Sequence, residues 1–177
     1  MPGDLVETGV WRGGTAIYLR AILAAAGDTT RTVVACDSFA GLPEADAERF
    51  PMDAELRLHE HPQLAVGLDS VRANFARYGL LDEQVRFVPG WFRDTLPKLA
   101  TELDAIAVLR LDGDMYESTS DALTHLEPLV PPGGFVVVDD YGGIDACRQA
   151  VTDYRAAQGI TAEIHAVDWT AVWWRKP

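Results

Sequence analysis

Cysteine is scarce in this sequence, which contains only Cys36 and Cys147. The two are far apart, show no metal-ligand spacing and cannot form a disulfide framework, so we expect ordinary thiols. Long apolar runs are also missing. No run reaches the roughly 18 residues of a membrane-spanning helix, and no basic stretch followed by an apolar one opens the chain. The sequence therefore predicts a cytoplasmic protein with no membrane partner.

Basic residues are few as well: 15 Lys and Arg stand against 27 Asp and Glu, which gives a formal net charge of −12. This balance argues against a general hold on nucleic-acid phosphates or on an anionic membrane. A small-molecule partner is favoured, and assembly into a homo-oligomer stays open. With 177 residues of which 48% are apolar, we expect one domain over residues 1–177.

Short β-rich runs alternate with helical patterns, which is typical of a parallel sheet covered by helices on both faces. Strands are predicted at residues 5–8, 32–36, 85–88, 105–111 and 134–138, and helices at 15–26, 64–78, 118–130 and 145–158. Residues 161–167 and 170–175 look like a closing antiparallel pair. The predicted fold class is therefore α/β, a Rossmann-like, mostly parallel seven-stranded sheet with a C-terminal antiparallel hairpin. This is the order seen in class I methyltransferases.

Two connections carry further signals. Residues 38–62 are rich in proline, glycine and charge, and such a long connection favours a functional role over a structural one. The third predicted helix opens near Ser118, with Asp121 three residues later as a possible capping box.

A glycine-rich turn follows the first strand. Its spacing, Glu7-x-Gly9-x-x-x-Gly13, does not match the dinucleotide fingerprint G-x-G-x-x-G. Glycines here let the backbone approach a ligand, and the next helix presents free amides. The alternative interpretation is a tight strand-to-helix turn with a capping acid. Asp37 at the end of the second strand favours the ligand-binding interpretation.

Two acidic clusters stand where apolar strands end: Asp112 and Asp114 after the fourth, and Asp139 and Asp140 after the fifth. If the strands are adjacent and parallel, these carboxylates converge at one crevice. Protons or a hard cation must then neutralise them, and an all-oxygen ligand set suits magnesium. The alternative is that they only cap the helices that follow. Three roles stay open for Asp114: a catalytic base beside the metal, a hydrogen-bond acceptor behind the metal ligands, and a solvated helix cap.

Several longer phrases carry a specific resemblance. Residues 37–43, 71–81, 90–92, 109–119 and 138–142 read DSFAGLP, VRANFARYGLL, GWF, LRLDGDMYEST and VDDYG. They resemble the macrocin O-methyltransferase family over nearly the whole chain. That family methylates hydroxyl groups on deoxysugars of macrolide and aminocoumarin antibiotics, using S-adenosylmethionine and Mg²⁺. The resemblance thus implies a magnesium-dependent enzyme of antibiotic biosynthesis with a glycosylated small-molecule substrate.

Carried onto this sequence, the resemblance implies roles for particular residues. The cofactor would be bound by Glu7, Thr8, Gly9, Gly13, Asp37, Ser38, Gly90, Trp91 and Asp112. Asp112, Asp139 and Asp140 would hold the metal, and Asp112 or Asp114 would act as the base. His59 and His61 in the long connection are alternative proton acceptors.

The beginning of the chain departs from the family pattern. Family members carry helices and a closing segment before the first strand, whereas Met1-Pro2-Gly3 leads almost directly into it. We therefore expect the N-terminal lid region to be absent, with a truncated reading frame or a lid from a second subunit as alternatives. A catechol-type O-methyltransferase and a catalytically weak cofactor-binding domain are the alternative functions. The sugar and the hydroxyl position stay open.

Overall fold

Seven strands and five α-helices alternate along the chain in the structure, a computed structural model that describes residues 1–177. The strands are β1 (Asp4–Thr8), β2 (Val33–Asp37), β3 (Val85–Pro89), β4 (Ile106–Leu111), β5 (Phe135–Val138), β6 (His165–Ala166) and β7 (Val172–Arg175). The helices are α1 (Gly14–Ala25), α2 (Leu68–Arg77), α3 (Phe92–Leu99), α4 (Tyr116–Leu126) and α5 (Asp145–Ala157).

The strands form one sheet in the order β3-β2-β1-β4-β5-β7-β6. The first five are parallel, while β7 is antiparallel to both β5 and β6. Apolar runs such as Phe135–Val138 suit strands that are covered on both faces. The predicted fold class, with its C-terminal antiparallel strands, is confirmed.

The two faces of the sheet are covered by two separate cores. Val6 belongs to the core under α3, α4 and α5, whereas its neighbour Leu5 belongs to the core under α1 and α2. Trp174 anchors the first core and Phe75 the second; both are fully buried. Burying a large apolar side chain contributes about 1.5–3 kcal/mol, so the two cores hold the strand ends in fixed positions.

The predicted capping box is wrong. Helix α4 begins at Tyr116, so Ser118 is buried in its first turn and no side chain of its own N-cap residue, Met115, caps it. The cap comes instead from Asp53 in the long connection, whose carboxylate accepts hydrogen bonds from the backbone N–H groups of Tyr116 and Glu117 at 2.6 and 3.0 Å. A tertiary contact thus replaces the local one.

Helix α3 was not expected from the sequence, because Pro97 stands inside it and proline removes a helical hydrogen bond. Helix α2 is shorter than predicted: Leu64 lies in a separate 3-10 turn and Gly67 precedes the helix in an extended conformation. The predicted strand at residues 161–167 is reduced to His165–Ala166.

Both cysteines are free and buried, as expected, and burial raises the pKa of both thiols. None of the helices is of a length and apolarity that would allow it to cross a bilayer.

Candidate functional site

The turn after β1 lies directly against the end of β4. Gly9 has a φ of +85°, and a Cβ there would lie 1.7 Å from the carbonyl oxygen of Asp112. Only glycine fits this contact. Ladder hydrogen bonds continue past the strand ends, from Asp112 N–H to Thr8 and from Asp139 N–H to Leu111. The carboxyl ends of β1, β4 and β5 therefore meet at one edge, as the sequence predicts.

Asp37 connects this turn to the end of β2. Its Oδ2 accepts hydrogen bonds from the N–H groups of Val10 and Trp11 at 2.7 and 3.3 Å, and its Oδ1 accepts one from Phe39 N–H at 2.7 Å. Trp11 and Phe39 have positive φ angles of 45° and 53°. Such conformations are uncommon outside glycine and persist where the surroundings fix them. The carboxylate thus holds two strained turns in place.

A cavity of about 230 Å³ opens beside these turns at the carboxyl edge of the sheet. The predicted site residues that line it are Gly9, Asp37, Ser38, Gly90, Trp91, Asp112 and Asp114. The sequence did not point to several others, among them Trp11, Leu42, Pro43, Leu64, Arg93, Glu117 and Asp121. Leu42 and Pro43 bring the long connection to the cavity, and spacing along α4 explains Glu117 and Asp121.

Three residues predicted to bind the cofactor do not line the cavity. Glu7 and Thr8 are each 1% exposed in the sheet, and Thr8 Oγ1 donates to the Arg110 carbonyl at 3.4 Å. Gly13 precedes α1, where a Cβ would lie 2.9 Å from Val71. Their contact with a cofactor stays a prediction, whereas their structural roles are visible.

Asp112, Asp139 and Asp140 form a compact carboxylate cluster. One oxygen from each lies within 4.8 Å of the others. They do not cap α4: the N–H groups of Tyr116 and Glu117 donate to Asp53, and the backbone N–H bonded to the Asp140 side chain, that of Asp114, precedes the helix. A set of hard oxygen donors at this separation fits Mg²⁺.

The electrostatics of this edge favour bound protons in the absence of a cation. Burial, with the neighbouring carboxylates Asp114 and Asp112, raises the pKa of Asp140 to about 8. Burial, with Asp112 and Asp139, raises the pKa of Asp114 to about 6. The pKa of Asp112 is also raised by burial. A cation that displaces these protons would relieve the repulsion.

Arg110 supplies a neutralising charge; the sequence allows it to pair with carboxylates but does not decide whether it does. Its Nη1 lies 2.7 Å from Glu7 and 2.6 Å from Asp112, and its Nη2 lies 2.6 Å from Asp139. The expectation that only protons or a cation balance these carboxylates was therefore incomplete. An arginine in the middle of an otherwise apolar strand, LRL at residues 109–111, was the available signal.

Asp114 stands between the cavity and the carboxylate cluster. It has a φ of 59°, and its backbone N–H donates to Asp140 Oδ2 at 3.2 Å. Its side chain lines the cavity. By contrast, His59 and His61 do not line it: His59 lies near Glu60, and His61 Nδ1 is 3.2 Å from Gln63 Nε2.

Comparison with known proteins matches residues 1–176 to the family model described as Macrocin-O-methyltransferase (TylF). The chain is 61% identical over 176 residues to an 8-demethyl-8-(2,3-dimethoxy-alpha-L-rhamnosyl)-tetracenomycin-C 4'-O-methyltransferase of Streptomyces olivaceus, covering 99% of this chain and 66% of the relative. It is 50% identical to the Demethyldecarbamoylnovobiocin O-methyltransferase of Streptomyces niveus, covering 99% and 67%. The chain thus spans about two thirds of the length of these relatives.

Among solved structures, the O-methyltransferase NovP superposes with a TM-score of 0.96 at 50% identity, covering 99% of this chain and 72% of that one. MycE methyltransferase from the mycinamycin pathway, in complex with Mg and SAH, shares the fold at 15% identity with a TM-score of 0.56, covering 98% and 45%. The chain belongs to the macrocin O-methyltransferase family.

Proposed function

We propose that this chain transfers a methyl group from S-adenosylmethionine to a hydroxyl of a deoxysugar on a macrolide-like or related natural product, with Mg²⁺ as cofactor. The observation that carries the proposal is the carboxylate cluster of Asp112, Asp139 and Asp140, of which Asp112 lines the cavity while Asp139 and Asp140 do not. The relatives support the substrate class, because their names describe methyl transfer to glycosylated natural products. Cytoplasmic location and lack of a nucleic-acid partner stay predictions from the sequence.

The cavity has the chemistry that the cofactor needs. Asp37 is an anionic acceptor, and each carboxylate oxygen has two lone-pair sites. Its bonds to Val10, Trp11 and Phe39 fill three of these four sites, so one, on Oδ1, is left for a ribose hydroxyl. Ser38, Gly90 and Trp91 also line the cavity, and in this proposal they lie beside the ribose and the base.

The carboxylate cluster would hold the metal through Asp112, Asp139 and Asp140. When bound, Mg²⁺ supplies Lewis-acid polarisation of a sugar hydroxyl and helps to orient it. Arg110 already holds one oxygen of Asp112 and one of Asp139, so these two side chains are oriented before any ligand arrives. This preorganisation limits the reorganisation that binding requires.

Between the two candidates for the base, the geometry favours Asp114. Asp112 is held by Arg110 Nη1 at 2.6 Å, and this contact stabilises its charged form. Asp114 has no such contact with an arginine, and burial raises its pKa to about 6, which leaves it mostly ionised at pH 7. It therefore can take a proton from a hydroxyl beside the cluster.

An assay with a panel of acceptors tests the proposal. The panel contains a rhamnosylated tetracenomycin, mycinamicin III, demethyldecarbamoylnovobiocin, their aglycones and a catechol, each with S-adenosylmethionine and Mg²⁺. We expect methyl transfer to at least one glycoside and to no aglycone. Methylation of the catechol alone would instead indicate a catechol-type enzyme. Cofactor binding without transfer to any acceptor would indicate a catalytically weak binding domain.

A further inference from the structure

Glu117 is a buried carboxylate that the proposed chemistry does not use. It lies in the first turn of α4, is 5% exposed and lines the cavity. Its backbone N–H is fixed by the bond to Asp53. Its Oε1 faces Arg93 Nη1 at 3.4 Å, whereas its Oε2 is buried and has no hydrogen-bond partner in the protein.

A buried carboxylate oxygen without a donor is costly, and native structures almost always provide one. Arg93 is about half exposed and reaches only the other oxygen, and Glu117 lines the cavity, so a ligand in the cavity is the candidate for the missing donor. Trp91 and Phe92 contribute aromatic surface to the same cavity. An aromatic wall beside a buried acceptor matches a flat heterocycle that carries an amino group at its edge.

We propose that Glu117 Oε2 accepts a hydrogen bond from the exocyclic amino group of the cofactor's adenine and thereby selects adenosyl over inosyl cofactors. The proposal rests on the S-adenosylmethionine site described above. In the proposed site Asp37 serves the ribose and the turn at Gly9 the methionine part, whereas the base amine has no assigned acceptor. Glu117, in the part of α4 that lines the cavity, carries an unused one.

The Glu117→Gln variant gives a directional test. Arg93 donates to Oε1, so a glutamine would turn its carbonyl oxygen toward Arg93 and its amide N–H₂ toward the cavity. The acceptor at the cavity becomes a donor, which suits the ring carbonyl of an inosyl group and opposes the amine of an adenosyl group. The backbone N–H bond to Asp53 is unaffected, so α4 retains its cap.

The measurement is the dissociation constant of S-adenosylhomocysteine and of S-inosylhomocysteine, by calorimetry without metal. Wild-type protein should prefer the adenosyl ligand, and Glu117→Gln should lower that preference by roughly tenfold or more, as expected for a bond to a charged acceptor. The matched control is Glu127→Gln: Glu127 is also buried with an unpartnered oxygen but does not line the cavity. Its preference should equal that of wild type.

An unchanged preference in Glu117→Gln would overturn the proposal, as would an equal change in Glu127→Gln. A change confined to Asp121→Asn would also overturn it, because the base contact would then belong to the next acidic residue of α4. Failure of the cofactor site itself looks different: wild-type protein would bind neither ligand. Thermal unfolding of each variant separates loss of fold from loss of contact.

Discussion

Arg110 Nη1 lies 2.7 Å from Glu7 Oε1 within the sheet, where the register of β1 and β4 sets the two residues side by side. Burial raises the pKa of Glu7 to about 7 despite this contact. The pair lies within the sheet, and the same guanidinium also contacts Asp112 and Asp139 at the strand ends. We expect the orientation of these two proposed metal ligands to depend on this pair.

Replacing Arg110 by methionine should destabilise the fold strongly. The variant leaves Glu7 buried without a counter-charge, which costs about 3–5 kcal/mol in the free energy of unfolding. The loss should be smaller at pH 5, where a proton neutralises Glu7. Urea unfolding at pH 5 and pH 8 measures it. Arg148→Met removes an exposed ion pair with Asp145 and should change stability by less than about 1 kcal/mol; equal losses in the two variants would contradict this account.

Stability in chelator should fall as the pH rises from 5 to 8. Asp140 and Asp114 have pKa values of about 8 and 6 in the folded protein, above their ordinary value of 3.8. The folded state then binds more protons than the unfolded state in this window, so the free energy of unfolding decreases with pH, by on the order of 1 kcal/mol per unit. Added Mg²⁺ should flatten the slope. Thermal unfolding between pH 5 and pH 8 shows whether stability falls as the pH rises. A rise in stability without metal would contradict the prediction.

Removal of the Asp53 carboxylate should loosen both α4 and the long connection. Asp53 is fully buried and caps two N–H groups of α4, so Asp53→Ala should cost about 1–2 kcal/mol and weaken S-adenosylhomocysteine binding. Asp46→Ala is the control, because Asp46 accepts only an exposed bond from Arg49 in the same connection. Urea unfolding and calorimetry give the two quantities. If both variants behave alike, the cap has no role at the site.

Loss of Asp37 should weaken S-adenosylmethionine binding by about 1.5–3 kcal/mol, because a charged acceptor disappears and the turns at Val10 and Phe39 lose their anchor. Asp37→Asn keeps one acceptor oxygen and should give an intermediate affinity. Calorimetry on folded variants measures both. An unchanged dissociation constant in Asp37→Ala would rule out this assignment, and tighter binding of NAD than of S-adenosylmethionine would rule out the cofactor.

Local patterns predicted the sheet because several apolar runs end at an acidic residue, as at Asp37, Asp112 and Asp139. Parallel pairing then brings those ends together without further information. The same local rules failed where a distant residue acts. Asp53 caps α4 across a long separation in sequence, so Ser118 looked like the start of the helix. Helix α3 was also missed. It forms although Pro97 inside it lacks an N–H, and its Leu96 and Leu99 are buried.

The direction in which side chains point was the other feature that could not be predicted from the sequence. The sequence located Arg110 on a strand but did not show that its guanidinium reaches carboxylates on three strand ends. Glu117 lay inside a family phrase, yet its burial and its unpartnered oxygen depend on the start of α4. The charge balance of a cluster and the presence of buried polar atoms without a partner are properties of packing, and only the three-dimensional structure reveals them.

Methyl transfer by wild-type protein and by Asp139→Asn, each with Mg²⁺ and with excess chelator, tests the central claim most directly. The asparagine can still accept the bond from Arg110, so the substitution removes a metal ligand's charge while retaining its position. Asp145→Asn, an exposed change at the start of α5, is the control. We expect activity only in wild type and control, only with Mg²⁺, and equal S-adenosylmethionine binding in all three. Full turnover in chelator, or in Asp139→Asn without added metal, would contradict the account.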